Sequence, residues 1–372
     1  MKTVVITDAK YRASIAAART LGRGGFRVAA VQARADAKTT PPVSASRYVS
    51  EFHWLPGSAS AGQADGGEYV ENLLEFLEGC DRPVLLCAGA GTLNAVAGQR
   101  ERFREVCDFL ISPPPVLDAL NDKAAVQRRC EELEIPTPRR FQGMPDRFPV
   151  IVKPRCGEKF GLKAKDRYRV ARDAAEWEAA LSAVSAWDSA PVVQEKIDGD
   201  GAGVSLLLGR NGELLDALCH RRIREYPISG GPSACCESFY DADLIAQAHK
   251  LLYSFGFEGL AMVEYKGGRV LEVNPRIWGS FPLTEKCGSP ITLRYAQAAA
   301  GEKVSYTPCD YRSGVRMRFL LNDSAALLSL LRHGQFGAFV SGVPDCFRAT
   351  EALSDRDDPA PMRRYLRNVL HR

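Results

Sequence analysis

The sequence predicts a two-part chain, a parallel α/β domain followed by an α+β half built on antiparallel hairpins. Three observations carry this. Short apolar strands alternate with helical faces as far as Pro113-Pro114-Pro115. Beyond that point, two turns, Gly209-Arg210-Asn211-Gly212 and Lys266-Gly267-Gly268, join apolar strands directly. A chain of 372 residues also exceeds what one small core accommodates.

In order, Thr3 to Thr7 is a β-branched run read as a strand. Arg12 to Leu21 is helix-compatible and is stopped by Gly22, Gly24 and Gly25. Phe26 to Val31, Glu51 to Leu55, Pro83 to Cys87 and Asp108 to Ile111 read as further short strands. Tyr69 to Leu77 and Leu93 to Val96 supply the apolar helical faces between them. Strands alternating with helices imply a parallel sheet. The domain closes at about residue 115, where three consecutive prolines can continue neither element.

A helix over Asp122 to Leu133 follows, capped by Asn121 or Asp122 and stopped by Pro136 and Pro138. Phe148 to Asp198 reads as strand, loop, helix, strand. Val204 to Arg222 is a pair of strands around Asn211-Gly212, a strong hairpin signal. Asp241 to Tyr253 is helical, and Leu260 to Tyr265 with Arg269 to Asn274 makes a second hairpin. The tail adds a strand over Gly314 to Leu320, a helix near Ala325 to Arg332 and a basic helix near Met362 to Leu370.

Composition excludes several classes. Hydrophobic residues at 45% and charged residues at 25% fit a soluble globular protein, not a fibrous or disordered one. A net charge of +4 is too mild and too dispersed for a nucleic-acid partner. No apolar run is long enough to cross a bilayer, and the N-terminus reads as a strand, not a signal peptide. Eleven scattered cysteines, none in a Cys-x-x-Cys pair, imply a reduced, cytoplasmic protein using Cys as a small hydrophobe. Cys235-Cys236 falls in a stretch read as a Gly/Ser-rich loop, and no histidine partner is implied that would make either a nucleophile.

The chemistry concentrates in Leu271-Glu272-Val273-Asn274-Pro275-Arg276 and the preceding strand. Strand alternation puts Glu272 and Asn274 on one face, and Glu264 can reach that face across the hairpin. Two carboxylates and an amide oxygen are hard ligands suited to Mg²⁺, with Arg276 beyond them able to grip a phosphate bidentately. Val150-Ile151-Val152-Lys153-Pro154 ends an apolar strand in a lysine, followed by a basic glycine-containing loop through Gly157 and Gly161. Such a lysine and loop can hold and cover nucleotide phosphates. Pro191 to Gly199 runs a buried strand into Gln194-Glu195-Lys196-Ile197, which can offer backbone groups to an adenine edge and Ile197 to its ring.

Taken in order, these pieces resemble the ATP-grasp superfamily. The resemblance covers roughly residues 115–300: Asn121-Asp122-Lys123 opening a helix that ends at Ile135-Pro136-Thr137-Pro138, Val152-Lys153-Pro154, Gln194-Glu195-Lys196-Ile197, Glu264, and Glu272-Val273-Asn274-Pro275-Arg276. No Gly-x-x-x-x-Gly-Lys-[Ser/Thr] is present, and no Gly-x-Gly-x-x-Gly follows the first strand. The resemblance implies an ATP-grasp fold behind an N-terminal parallel α/β (pre-ATP-grasp) domain at 1–115. It implies a small lid subdomain with a linker helix at 116–190, the larger subdomain at 191–310 and a C-terminal extension at 311–372. It further implies that Lys123 and Lys153 contact ATP phosphates under the Gly157–Gly161 loop, and that Gln194, Glu195, Lys196 and Ile197 frame adenine. Asp200 or Asp198 would take the ribose, Glu264, Glu272 and Asn274 would hold Mg²⁺ or Mn²⁺, and Arg276 would steady the transferring phosphoryl group.

His220-Arg221-Arg222-Ile223-Arg224 then narrows the subgroup, since it looks like the substrate-side strand of carboxylate–amine ligases related to carbamoyl phosphate synthase. Regular alternation would set His220, Arg222 and Arg224 on one face, three cations suited to a carboxylate and its phosphorylated form. The expectation is an ADP-forming ligase that joins a small-molecule carboxylate to an amine through an acyl phosphate, with Arg276, Arg222 and Arg224 as its catalytic arginines. Rival expectations are a thiol-accepting ligase, a carboxylase, a phosphotransferase, or an ATP-binding module without turnover. Neither nucleic acid nor membrane is expected as a partner, and self-association as a homo-oligomer stays open. In the first domain, Asp8 to Arg12 and Ala88-Gly89-Ala90-Gly91-Thr92 follow strand ends, where parallel sheets bind ligands, though tight turns account for their glycines equally well.

Overall fold

The computed structural model of the chain describes residues 2–60, 67–156, 167–228 and 230–370. The first sheet holds β1 (Thr3–Ile6), β2 (Arg27–Ala33), β3 (Val49–Leu55) and β4 (Val84–Leu86), all parallel in the order β3-β2-β1-β4. Val4, Val5 and Ile6 are buried, as a central strand covered on both faces requires. Asp108 to Ile111 does not form the strand expected of it. Asp108 makes a single bridge to Val84, and the Leu110 amide then turns to the Tyr295 hydroxyl at 3.4 Å instead of to the sheet. Nor do the prolines end the domain as breakers. Pro114 and Pro115 open the helix Pro114–Asn121, where a missing amide costs nothing. Asp122 is the cap of the next helix, Lys123–Glu132, accepting from the Ala124 and Ala125 amides at 2.9 and 3.3 Å.

A small antiparallel sheet follows, with β5 (Val150–Lys153), β6 (Arg169–Ala171) and β7 (Val192–Glu195) in the order β6-β5-β7. The helix Ala174–Ser185 closes its core, packing Trp177, Ala180 and Val184 on Val150, Val152 and Val193.

The large sheet comprises β8 (Gly201–Leu208), β9 (Leu214–Glu225), β10 (Ser233–Phe239), β11 (Gly259–Lys266), β12 (Arg269–Asn274), β13 (Arg316–Arg318) and β14 (Thr350–Glu351), ordered β12-β11-β8-β9-β10-β13-β14. The stretch around Cys235-Cys236 is thus a buried strand, β10, and not a loop: its side chains complete the sheet between β9 and β13. Val204, Leu206 and Leu208 face the helix Ala242–Ser254. On the opposite face, Leu207, Leu260 and Met262 are covered by Ile277, Trp278, Phe281 and Tyr295. That cover stops short of the polar end of the same face, where Gly203 and Glu264 share a rung.

The last sixty residues tie the molecule together. β13 and β14 extend the large sheet, and the helix Ala360–Leu370 lies against residues 42–45 of the first domain. No helix among the described residues is long and apolar enough to cross a membrane.

Candidate active site

The hairpin β11–β12 sets the site. Gly267 and Gly268 turn with φ of 52° and 73°, left-handed at both positions, which pairs Lys266 with Arg269 and Tyr265 with Val270. A bulge at Leu271 then shifts the pairing by one residue, and it is this shift that sets Glu264 opposite Glu272 and Met262 opposite Asn274. Asn274 Nδ2 donates to Glu264 Oε1 at 3.1 Å, and its Oδ1 accepts from Arg276 Nη2 at 3.2 Å. Two carboxylates and the Asn274 side chain thus share one sheet face, with the amide nitrogen toward Glu264 and the amide oxygen toward Arg276.

Cations from three other elements meet them. Lys123, first residue of its helix, places Nζ 3.1 Å from Glu272 Oε2. Lys153, at the end of β5, is buried, and its Nζ lies 3.5 Å from the carbonyl of Leu271, the residue bulged out of register in β12. Arg222 on β9 pairs with Glu264 at 2.5 Å and with Glu225 at 3.1 Å. Burial is the largest influence on Glu264, Glu272 and Lys153, and their partners split the outcome. It raises Glu264 above the ordinary carboxylate range against the pull of Arg222. Glu272 is buried as well, but Lys123 and Lys153 pull it down to about 2. Burial and the neighbouring Lys123 lower Lys153 to about 8. Burial lowers Arg276 too, opposed by Tyr11 of the first domain, so that the end of the first sheet approaches this arginine.

Arg224 departs from expectation. Arg222 lies opposite Cys236 while Arg224 lies opposite Cys235, so one residue of β9 is bulged between them and the two arginines leave on opposite faces. Arg224 Nε and Nη1 bind Asp323 and Asp345 at 2.7 and 2.6 Å, far from the carboxylate pair in purpose and in partners. His220 does share the face of Arg222. Its ring lies across Gly203, where a Cβ would stand 2.3 Å from His220 Cε1, and its Nε2 is 3.0 Å from Ser280 Oγ. Burial and then Arg222 lower its pKa to about 3, so the imidazole is neutral.

The segment read as adenine-binding borders the same hairpin. Gln194 is buried, with Oε1 accepting from Gln127 Nε2 at 2.7 Å. The Glu195 and Lys196 amides donate to the carbonyls of Arg139 and Pro149 at 2.9 and 3.2 Å, and Lys196 pairs with Asp198. Ile197 meets the turn: a Cβ on Gly267 would stand 3.1 Å from Ile197 Cγ2. Asp200 is exposed and its carbonyl accepts from the Gly267 amide at 3.0 Å. Gly157 and Gly161 lie outside the described residues.

Sequence reasoning left out Gly203, Glu225 and Ser280. Gly203, a glycine amid strand residues, was the one available signal, because such a glycine often marks a close approach. In the first domain, the two strand-end turns bind each other: Asp8, at φ 53°, accepts from the Gly89 amide and the Thr92 hydroxyl, each at 3.0 Å.

A parallel domain, a small antiparallel sheet carrying Lys153, and a large sheet whose carboxylates face that lysine together define the ATP-grasp fold. The chain is similar in structure to the biotin carboxylase domain of Hydrogenobacter thermophilus 2-oxoglutarate carboxylase, solved with MgADP and bicarbonate, at TM-score 0.62 and 14% identity over 85% of this chain and 73% of that one. It is similar to an L-amino acid ligase from Bacillus licheniformis at TM-score 0.55 and 15% identity, over 80% and 74%. A third likeness is to N5-carboxyaminoimidazole synthetase from Staphylococcus aureus, at TM-score 0.57 and 13% identity over 85% and 82%. No family model and no curated protein matches the sequence.

Proposed function

We propose that this chain is an ATP-dependent, ADP-forming ligase that joins a small-molecule carboxylate to an amine. The observation that carries the reading is the cross-strand pair Glu264 and Glu272, ringed by Lys123, Lys153, Arg222 and Arg276. Paired carboxylates with an amide oxygen fit Mg²⁺, and the solved carboxylase domain of similar fold holds MgADP. When bound, the metal would supply charge neutralisation at the phosphates. Lys153 and Lys123 would contact phosphate oxygens, and residues 194–197 would flank the adenine, with Asp200 or Asp198 near the ribose.

The substrate carboxylate oxygen attacks the γ-phosphorus and ADP leaves, giving an acyl phosphate. The amine then attacks the acyl carbon, phosphate leaves, and the amine gives up a proton to solvent. Arg222 and Arg276 oppose the negative charge developing on the transferring group, so catalysis rests on positioning and fixed charge without a covalent enzyme intermediate. An L-amino acid ligase among the similar structures supports an amine acceptor.

The test is Mg²⁺-dependent ADP release with arrayed acids and amines, followed by mass spectrometry of the products. ADP and amide formed in equal amounts is the expected result. ADP release with bicarbonate and no amine would make the protein a carboxylase, and tight ATP binding without any release would make it a binding module.

A further inference from the structure

The helices Leu320–Arg332, Phe336–Gly342 and Asp345–Arg348, with the link Val343-Pro344 between the last two, present apolar side chains to water. Leu321, Leu328 and Leu331 are 40%, 45% and 38% exposed, and Phe336, Val340, Val343 and Phe347 are 61%, 66%, 37% and 87% exposed. Their spacing is helical. Leu321, Leu328 and Leu331 fall on one stripe of the first helix, while Asp323, Ala326, Leu327 and Leu330 form its buried side. Phe336, Val340, Val343 and Phe347 step by four, three and four residues. The middle helix, with sequence Phe-Gly-Ala-Phe-Val-Ser-Gly, buries only Gly342. A helix that apolar is normally covered.

We infer that this face is the interface of a symmetric dimer of the chain. Two features favour a second copy over any other cover. Between Arg332 and Asp345 there is no Lys, Arg, Asp or Glu, although the whole chain carries +4, so this is where two like-charged copies approach without repulsion. The segment between Arg332 and Asp345 also offers a foreign partner no charge pattern to recognise, whereas stripes on adjacent helices meet their own copies about a two-fold axis. At roughly 150–200 Å² per fully exposed large apolar side chain, the seven exposures amount to on the order of 600 Å² per copy, or on the order of 1,200 Å² in the pair. That reaches the lower end of stable interfaces before any rim contacts are added, while a single docked helix would cover only part of it.

The interface reaches toward the catalytic strand. Gly342 packs on Arg224, whose Nη1 would be 3.0 Å from a Cβ there, and Asp345 pairs with Arg224 on the same strand as Arg222.

Sedimentation velocity of the full chain across micromolar concentrations tests this without any substrate. The wild-type chain should be dimeric, and Val340→Glu with Phe347→Glu should raise the dimer dissociation constant by more than about tenfold with unchanged far-ultraviolet dichroism. Should the charged pair misfold, Phe336→Ser with Val340→Ser must produce the same shift toward monomer. A monomeric wild type overturns the inference, as does a dimer indifferent to the substitutions. A monomer that partitions onto phospholipid vesicles overturns it too and assigns the face to a membrane.

Discussion

Arg222 and Arg224 stand two residues apart on one strand and serve opposite faces of the sheet. Arg222 reaches Glu264 in the candidate active site, whereas Arg224 is spent on the buried carboxylates of Asp323 and Asp345. Alanine at the two positions should therefore fail in different ways. Arg222→Ala should depress turnover by about a hundredfold or more in a chain that stays folded, since it removes charge opposing the transferring group. Arg224→Ala should take from Asp323 and Asp345 the arginine they share, leaving them to Arg318 and Arg316, and cost about 1.5–3 kcal/mol in urea unfolding. Equal turnover losses in both variants would return the arginines to one shared role.

Glu272→Gln should abolish ADP release while the protein stays folded. The carboxylate is held ionised by Lys123 and Lys153, and the amide offers neither the charge for a metal nor a counter-ion for those lysines. Manganese binding followed by electron paramagnetic resonance should weaken in parallel. Wild-type metal affinity in the variant would remove Glu272 from the metal site.

Lys153→Met should weaken ATP binding by about tenfold or more, the worth of one charged hydrogen bond to phosphate, and leave adenosine binding unchanged by titration calorimetry. Burial lowers this lysine to about 8, so in the free protein it loses its charge as pH rises through that value. ATP affinity should fall above pH 8 in the wild type, and Lys153→Arg should flatten that dependence. The stability effect has the opposite sign. Below pH 8 the buried ammonium is a cost, and that cost is relieved between pH 8 and the ordinary lysine range, where the unfolded chain binds the extra proton.

Asp358 joins the end of the chain to its beginning. Its carboxylate accepts from Arg19 Nε at 2.9 Å, Ser46 Oγ at 2.7 Å and the Arg47 amide at 2.9 Å, all in a buried setting. Asp358→Asn should leave Arg19 inside with only Glu285, 3.6 Å away, to balance its charge, and cost about 1.5–3 kcal/mol. Limited proteolysis should then cut first between β14 and the last helix. A variant as stable and as protease-resistant as the wild type would show that the tail is held by its helix alone.

The sequence by itself determined which local elements could form and which residues could carry charge. The alternation in Glu272-Val273-Asn274 was enough to place one carboxylate and an amide on one face, and the glycine pair at 267–268 to turn the hairpin, because strand periodicity and turn chemistry are local properties; Glu264 joins that face only through the bulge at Leu271. The ends of regular patterns were legible too, such as Asp122 as a cap. The tertiary structure decided what the same rules could not reach. Alternation put Arg224 beside Arg222, but one bulged residue, set by how β9 meets β10, reversed it, and bulges arise from pairing between strands, not from the strand's own sequence. Cys235 and Cys236 read as a loop because glycine and serine surround them, yet a neighbouring strand on each side supplies the hydrogen bonds that make them β10. The approach of Tyr11 to Arg276, His220 lying over Gly203, and Arg19 closing on Asp358 join residues tens to hundreds of positions apart. No local periodicity encodes such contacts, because they exist only once separate layers have packed their apolar faces and left these polar groups to find one another.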